Sequence, residues 1–151
     1  MVTADEISNI VYQETIDLIT EQDSVIVMQA IAAAEEEVKS YLRGRYDVDA
    51  IFLRSVETVT DESTGQTSTV DRRNAMLVEI VKVIAVWHVI MLCNADMIYD
   101  QWRERYDRAV TYLKAVSKGD VSPDLPILVN SDGVAESPIK LVSNHKFNHY
   151  F

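Results

Sequence analysis

Apolar residues recur along most of this chain at helical spacing, and the breaks in that rhythm mark out its elements. Val27, Ile31, Ala34, Val38 and Tyr41 follow one another at alternating steps of four and three, which puts them on one face of a helix over about residues 21–43. Ile26, Ala30 and Ala33 add a flank of mostly small side chains where another helix could come close. Thr20-Glu21-Gln22-Asp23 supplies a start signal, with acids where the helix dipole favours them, and Gly44 supplies a stop. Ahead of this, Thr3-Ala4-Asp5-Glu6 reads as a capping box, and Ile7, Ile10 and Val11 predict a short helix near residues 4–14.

The stretch from about 71 to 94 is the most apolar. Met76, Leu77, Ile80, Val81, Ile84, Trp87, His88 and Met91 mark one broad face, while Val78, Val83, Val86, Val89, Ile90 and Leu92 cover much of the remainder. A helix that is apolar nearly all round is buried on several sides. Glu79, Lys82 and His88 interrupt the run, so it falls short of the roughly 18 uncharged apolar residues expected of a transmembrane span. A fourth helix is predicted from about 96 to 118, with Ile98, Trp102, Tyr106, Ala109, Leu113 and Val116 facing inward. Its outer face carries charges, including the four-apart pairs Arg103–Asp107 and Glu104–Arg108.

Two segments lack the helical period. Residues 47–70 read as a long polar loop, and the alternation of Val56-Glu57-Thr58-Val59-Thr60 with the β-leaning Thr67-Ser68-Thr69-Val70 makes a short β-hairpin a candidate. Loops of that length in small domains are commonly functional or mobile. Past Gly119 come all three prolines, Pro123, Pro126 and Pro138, and no helical period. The expected organisation is a mostly α domain over 1–119, a bundle of about four helices, followed by an extended C-terminal arm over 120–151.

Charge narrows the choice of partner. The net charge is −10, and residues 1–42 hold nine acids against Lys39 alone. Phosphate binding needs clustered Lys and Arg, which the sequence does not supply. The opening residues, Met1 to Glu6, contain neither a basic nor an apolar run, so no secretory signal is expected. The single cysteine, Cys93, excludes an internal disulfide and points to a reducing compartment.

A search for chemistry returns little. There is no phosphate loop, glycine fingerprint, nucleophile elbow or paired-histidine zinc helix, and no catalytic residue, cofactor or metal is expected. His88 reads as a core histidine satisfied by a hydrogen bond, and Cys93 as a small buried hydrophobe. Glu35-Glu36-Glu37 reads as a solvated helix face. His145 and His149 lack acid or thiol partners for a metal. The end of the chain stands apart: Phe147, Tyr150 and Phe151 are large aromatics in a polar extended segment, which is how anchors for partner pockets look. Lys146 could fix register at the rim.

The order of segments resembles the phage Mu-type gene-product-36-like family over about residues 5–125. The residues that carry the resemblance are Ile16-Asp17-Leu18-Ile19-Thr20-Glu21-Gln22-Asp23, the Ala-rich helix through 30–34, the box Tyr41, Leu42, Arg45 and Tyr46, and the run 106–119 from Tyr106-Asp107-Arg108-Ala109 to Gly119. Residues 52–70 are longer and more polar than the family loop, and the tail lies outside the pattern. That family is similar to the small helical head–tail connector, or head completion, proteins of tailed phages. The resemblance implies a ring homo-oligomer beneath the portal protein, contacts with tail-side proteins, and a place at the head–tail junction of the virion after time in the host cytoplasm. DNA would pass near without being specifically bound, and no membrane would be involved. It also implies that Tyr41, Arg45 and Tyr46 clamp the turn after the second predicted helix. A rival expectation is a small helical host adaptor or regulator that binds a soluble partner.

Overall fold

The computed structural model of the chain describes residues 2–7, 9–60, 67–93 and 99–129. Among these residues are six helices and one two-stranded antiparallel sheet, so the fold is mostly α. In chain order they are α1 (Ala4–Ile7), α2 (Gln13–Thr20), α3 (Ser24–Leu42), α4 (Val48–Leu53), β1 (Val56–Thr60), β2 (Thr67–Asp71), α5 (Ala75–Cys93) and α6 (Tyr99–Lys118). Three long helices form the body, and three short ones close its ends.

The N-terminal third departs from expectation. Half of the Thr3 capping box forms: the Thr3 backbone N–H donates to Glu6 Oε2 at 2.9 Å, while the Glu6 N–H donates to the Thr3 carbonyl and not to its hydroxyl. The helix it starts ends at Ile7, however, and a separate α2 follows. Thr20 does not begin a helix: its buried hydroxyl donates to the Ile16 carbonyl at 2.8 Å, in the last turn of α2. Asp23 caps α3 instead, accepting from the Val25 N–H at 2.8 Å. Between them Glu21 and Gln22 take left-handed φ values of 52° and 64°, which turns the chain sharply from α2 into α3.

The core is built on the predicted stripes. Val27, Ala30, Ile31, Ala34, Val38 and Leu42 of α3 are buried, and α3 packs most extensively on α5. Ala33, expected on the flank for a close helix, is exposed. Ten residues of α5 are buried, Ile84 and Val81 completely. Met76, Met91 and Leu92, at the ends of α5, are instead exposed. By length and composition α5 would suffice to cross a membrane, with a mean hydropathy of 2.2 over its most apolar stretch. Three interrupting polar residues are therefore too weak a disqualification. The same composition is what a helix flanked by neighbours requires, and here α3 and α6 both pack on it. Its buried Lys82 is held by an ion pair to Glu79 one turn earlier. Opposite, Trp102, Ala109, Val110, Leu113 and Val116 form the buried side of α6.

The core does not stop at Gly119. Leu125 is buried in the same apolar cluster, and the chain around it runs back along the turn after α3. The Asp47 N–H donates to the Pro126 carbonyl at 3.0 Å, and the Leu128 N–H donates to the Arg45 carbonyl at 3.1 Å. Tyr46 and Ile127 form an antiparallel bridge. Residues 120–129 thus belong to the bundle, because Leu125 has apolar area to bury and the turn has backbone groups to pair.

Candidate assembly surface

The hairpin is real and protrudes. The register pairs Val56 with Asp71, Glu57 with Val70, Thr58 with Thr69, Val59 with Ser68 and Thr60 with Thr67. All ten of these residues are exposed. One face carries Val56, Thr58 and Thr60 with Thr67, Thr69 and Asp71; the other carries Glu57, Val59, Ser68 and Val70. Three exposed valines and two open backbone edges are not what an isolated two-stranded ribbon needs to be stable in water.

The root of the ribbon is correspondingly well fixed. Arg73, just past β2, has a side chain only 5 % exposed. Its guanidinium donates to Glu6 of α1 through Nη1 at 3.0 Å and Nη2 at 2.6 Å. The same side chain grips Asp71, with Nε at 2.9 Å and Nη2 at 2.7 Å. These bonds hold the Glu6 and Asp71 carboxyls below their ordinary range, while Asp71 and Glu6 push the already basic guanidinium further up. Arg72 adds a cross-strand pair with Glu57 at 2.6 Å. Nothing in the sequence announced this cluster, because Arg73 and Glu6 stand 67 residues apart.

Of the turn residues expected to form a clamp, Arg45 and Tyr46 line one cavity, and Tyr41 packs against the core. Tyr46 is buried, Tyr41 is half-buried against the core, and Arg45 reaches across to the end of α6. There Gly119, at φ 88°, ends the helix, and a Cβ on it would overlap Arg45 Nη1. Arg45, Tyr46, Leu125 and Ile127 line a shallow cavity of about 220 Å³. The other expected site residues, Lys146, Phe147, Tyr150 and Phe151, lie outside the described residues, as does the hairpin tip at 61–66.

Glu37 corrects the reading of Glu35-Glu36-Glu37 as a solvated face. Its carboxylate accepts from the Tyr106 hydroxyl at 2.8 Å and sits 3.0 Å from His88 Nε2. Burial, then the bond to Glu37, pushes the Tyr106 hydroxyl up to about 12. Trp87 stacks on Tyr106 with ring centroids 5.2 Å apart. His88 is thus a hydrogen-bonded but half-buried histidine, not a core one; it links α5 to α3, and Glu37 carries the link on to Tyr106 of α6. Glu36 pairs with Lys39 at 2.6 Å, and Glu35 accepts from the Val2 N–H at 3.1 Å. Cys93 is half-buried, and burial pushes its thiol up, away from the thiolate form. No group of acidic, histidine or cysteine side chains suited to a metal occurs among the described residues. Comparison with family models, with curated proteins and with solved structures finds no match to this chain.

Proposed function

We propose that this chain is a structural subunit that works by assembly, a head–tail connector subunit of a tailed phage or prophage that forms a ring beneath the portal. The observation that carries the reading is the hairpin: ten exposed residues held out from the bundle on a root fixed by a buried arginine. A ribbon so placed is stable and useful when it meets another subunit. The resemblance through Tyr41, Leu42, Arg45 and Tyr46 supplies the particular kind of assembly, with portal and tail-side proteins as partners. An acidic ring surface would let DNA pass without trapping it.

The test is binding to a portal ring, followed by co-sedimentation, for the full chain and for a chain lacking residues 144–151. The full chain self-associates or sediments with the portal. The shortened chain keeps its helix content and melting temperature but binds more weakly, because Phe147, Tyr150 and Phe151 are its anchors. A chain that stays monomeric and ignores the portal overturns the connector reading and favours a host adaptor.

A further inference from the structure

We propose that residues 139–143 of one copy add as a third strand to the β1–β2 hairpin of a neighbouring copy. The inference rests on the assembly reading above and names the contact that would carry it. Among the described residues the sheet has only two strands, so both outer edges present unpaired backbone N–H and C=O groups. Natural edges are blunted by lysine, proline, bulges or a covering element. Val-Glu-Thr-Val-Thr and Thr-Ser-Thr-Val-Asp contain no lysine or proline, and the regular register contains no bulge. These edges are therefore suited to receiving a strand.

The chain itself offers the occupant. Beyond Val129 the sequence Ile139-Lys140-Leu141-Val142-Ser143 is the β-leaning run, as long as each strand of the hairpin. Added as a strand, it would set Ile139 and Leu141 on one face and Val142 on the other, and the ribbon offers Val56 on one face and Val59 and Val70 on the other. Pro138 stands directly before it, a position a strand tolerates because no ladder donor is needed there. Charge does not oppose the contact: after Glu136 the chain carries Lys140 and Lys146 and no acidic side chain, and the hairpin's Glu57 and Asp71 are already paired with Arg72 and Arg73.

Where the described chain ends also fits. The Asn74 side chain, at the hairpin root, donates to the Asp124 carbonyl at 3.5 Å, so the chain passes the root of the ribbon five residues before Val129. The residues between Val129 and Ile139 extend to about 30 Å, which is of the order of the width of a domain this size. Such a linker reaches the ribbon of an adjacent copy, and repetition of the contact is head-to-tail, the kind that closes rings.

Hydrogen exchange of the full chain at assembling concentration tests this, comparing the parent with Leu141→Pro, which removes a ladder donor from the added strand. The parent should protect amides of residues 56–60 or 67–71, and dilution to monomer should release them. Leu141→Pro should speed their exchange about tenfold or more while leaving α3 and α5 protected. Equal exchange in the two chains overturns the proposal; if the variant still binds portal, the connector reading stands without it. Protection that survives dilution to monomer places the arm on its own hairpin and overturns donation between copies. Strand donation without any portal binding would retain this inference and remove the connector reading.

Discussion

Arg45 lays its guanidinium across Gly119, so closely that a Cβ there would overlap Nη1. One residue follows α3 and the other ends α6, so the contact ties together the ends of two long helices. Gly119 is glycine because of its left-handed φ of 88°; the guanidinium above it is the end of a flexible side chain and can give way. Gly119→Ala should lower stability by about 1–3 kcal/mol. Gly44, where nothing lies within 4 Å, should accept alanine with a change of about 0.5 kcal/mol or less. Urea denaturation of the two variants checks the contrast, and equal losses would contradict a backbone strained at Gly119.

The Arg73 cluster predicts an acid-sensitive hairpin root. Glu6 and Asp71 have carboxyls lowered by Arg73, so the stability they contribute is complete above their unfolded values near pH 4 and is lost as pH falls through the lower folded values. Glu6→Gln removes its share, by about 1 kcal/mol at neutral pH given the partial exposure of the pair. Urea midpoints at neutral and acid pH should differ less for Glu6→Gln than for the parent. An unchanged pH dependence would show that the cluster contributes nothing to folding.

What could be read in the sequence followed from period and length. The stripe Val27, Ile31, Ala34, Val38 has enough turns to define a face, and α3, α5 and α6 each appear within a few residues of their predicted bounds. The alternation around Val56 and Val59 was enough to suggest the hairpin. α2 and α4, of 8 and 6 residues, are too short for a period to stand out. Thr20 was misread because a hydroxyl that bonds back to Ile16 and one that caps a helix look alike in sequence. Glu37 was misread because charge alone implies solvent, whereas its partners come from two other helices. The packing of Leu125 under the turn after α3 is likewise a long-range choice that three nearby prolines conceal.

Tyr106 gives an alkaline counterpart to the acid limb. Its hydroxyl, pushed up to about 12 by burial and by Glu37, favours the fold in its neutral form. That contribution is complete below the unfolded value near pH 10 and is lost as pH rises through about 12. Tyr106→Phe should cost about 1 kcal/mol at neutral pH, since Glu37 loses a donor, and should flatten the stability profile between those two values. Denaturation at neutral pH and near pH 11 checks this; a parent and variant with parallel profiles would mean that Tyr106 ionises freely.

The central claim is that this chain acts by joining others at the portal. Electron microscopy of purified portal rings mixed with the full chain tests it most directly. The account predicts a second ring of density stacked on one face of the portal, reduced when residues 144–151 are removed. Portal rings that look the same with and without the chain, at concentrations where the chain is folded, would contradict it.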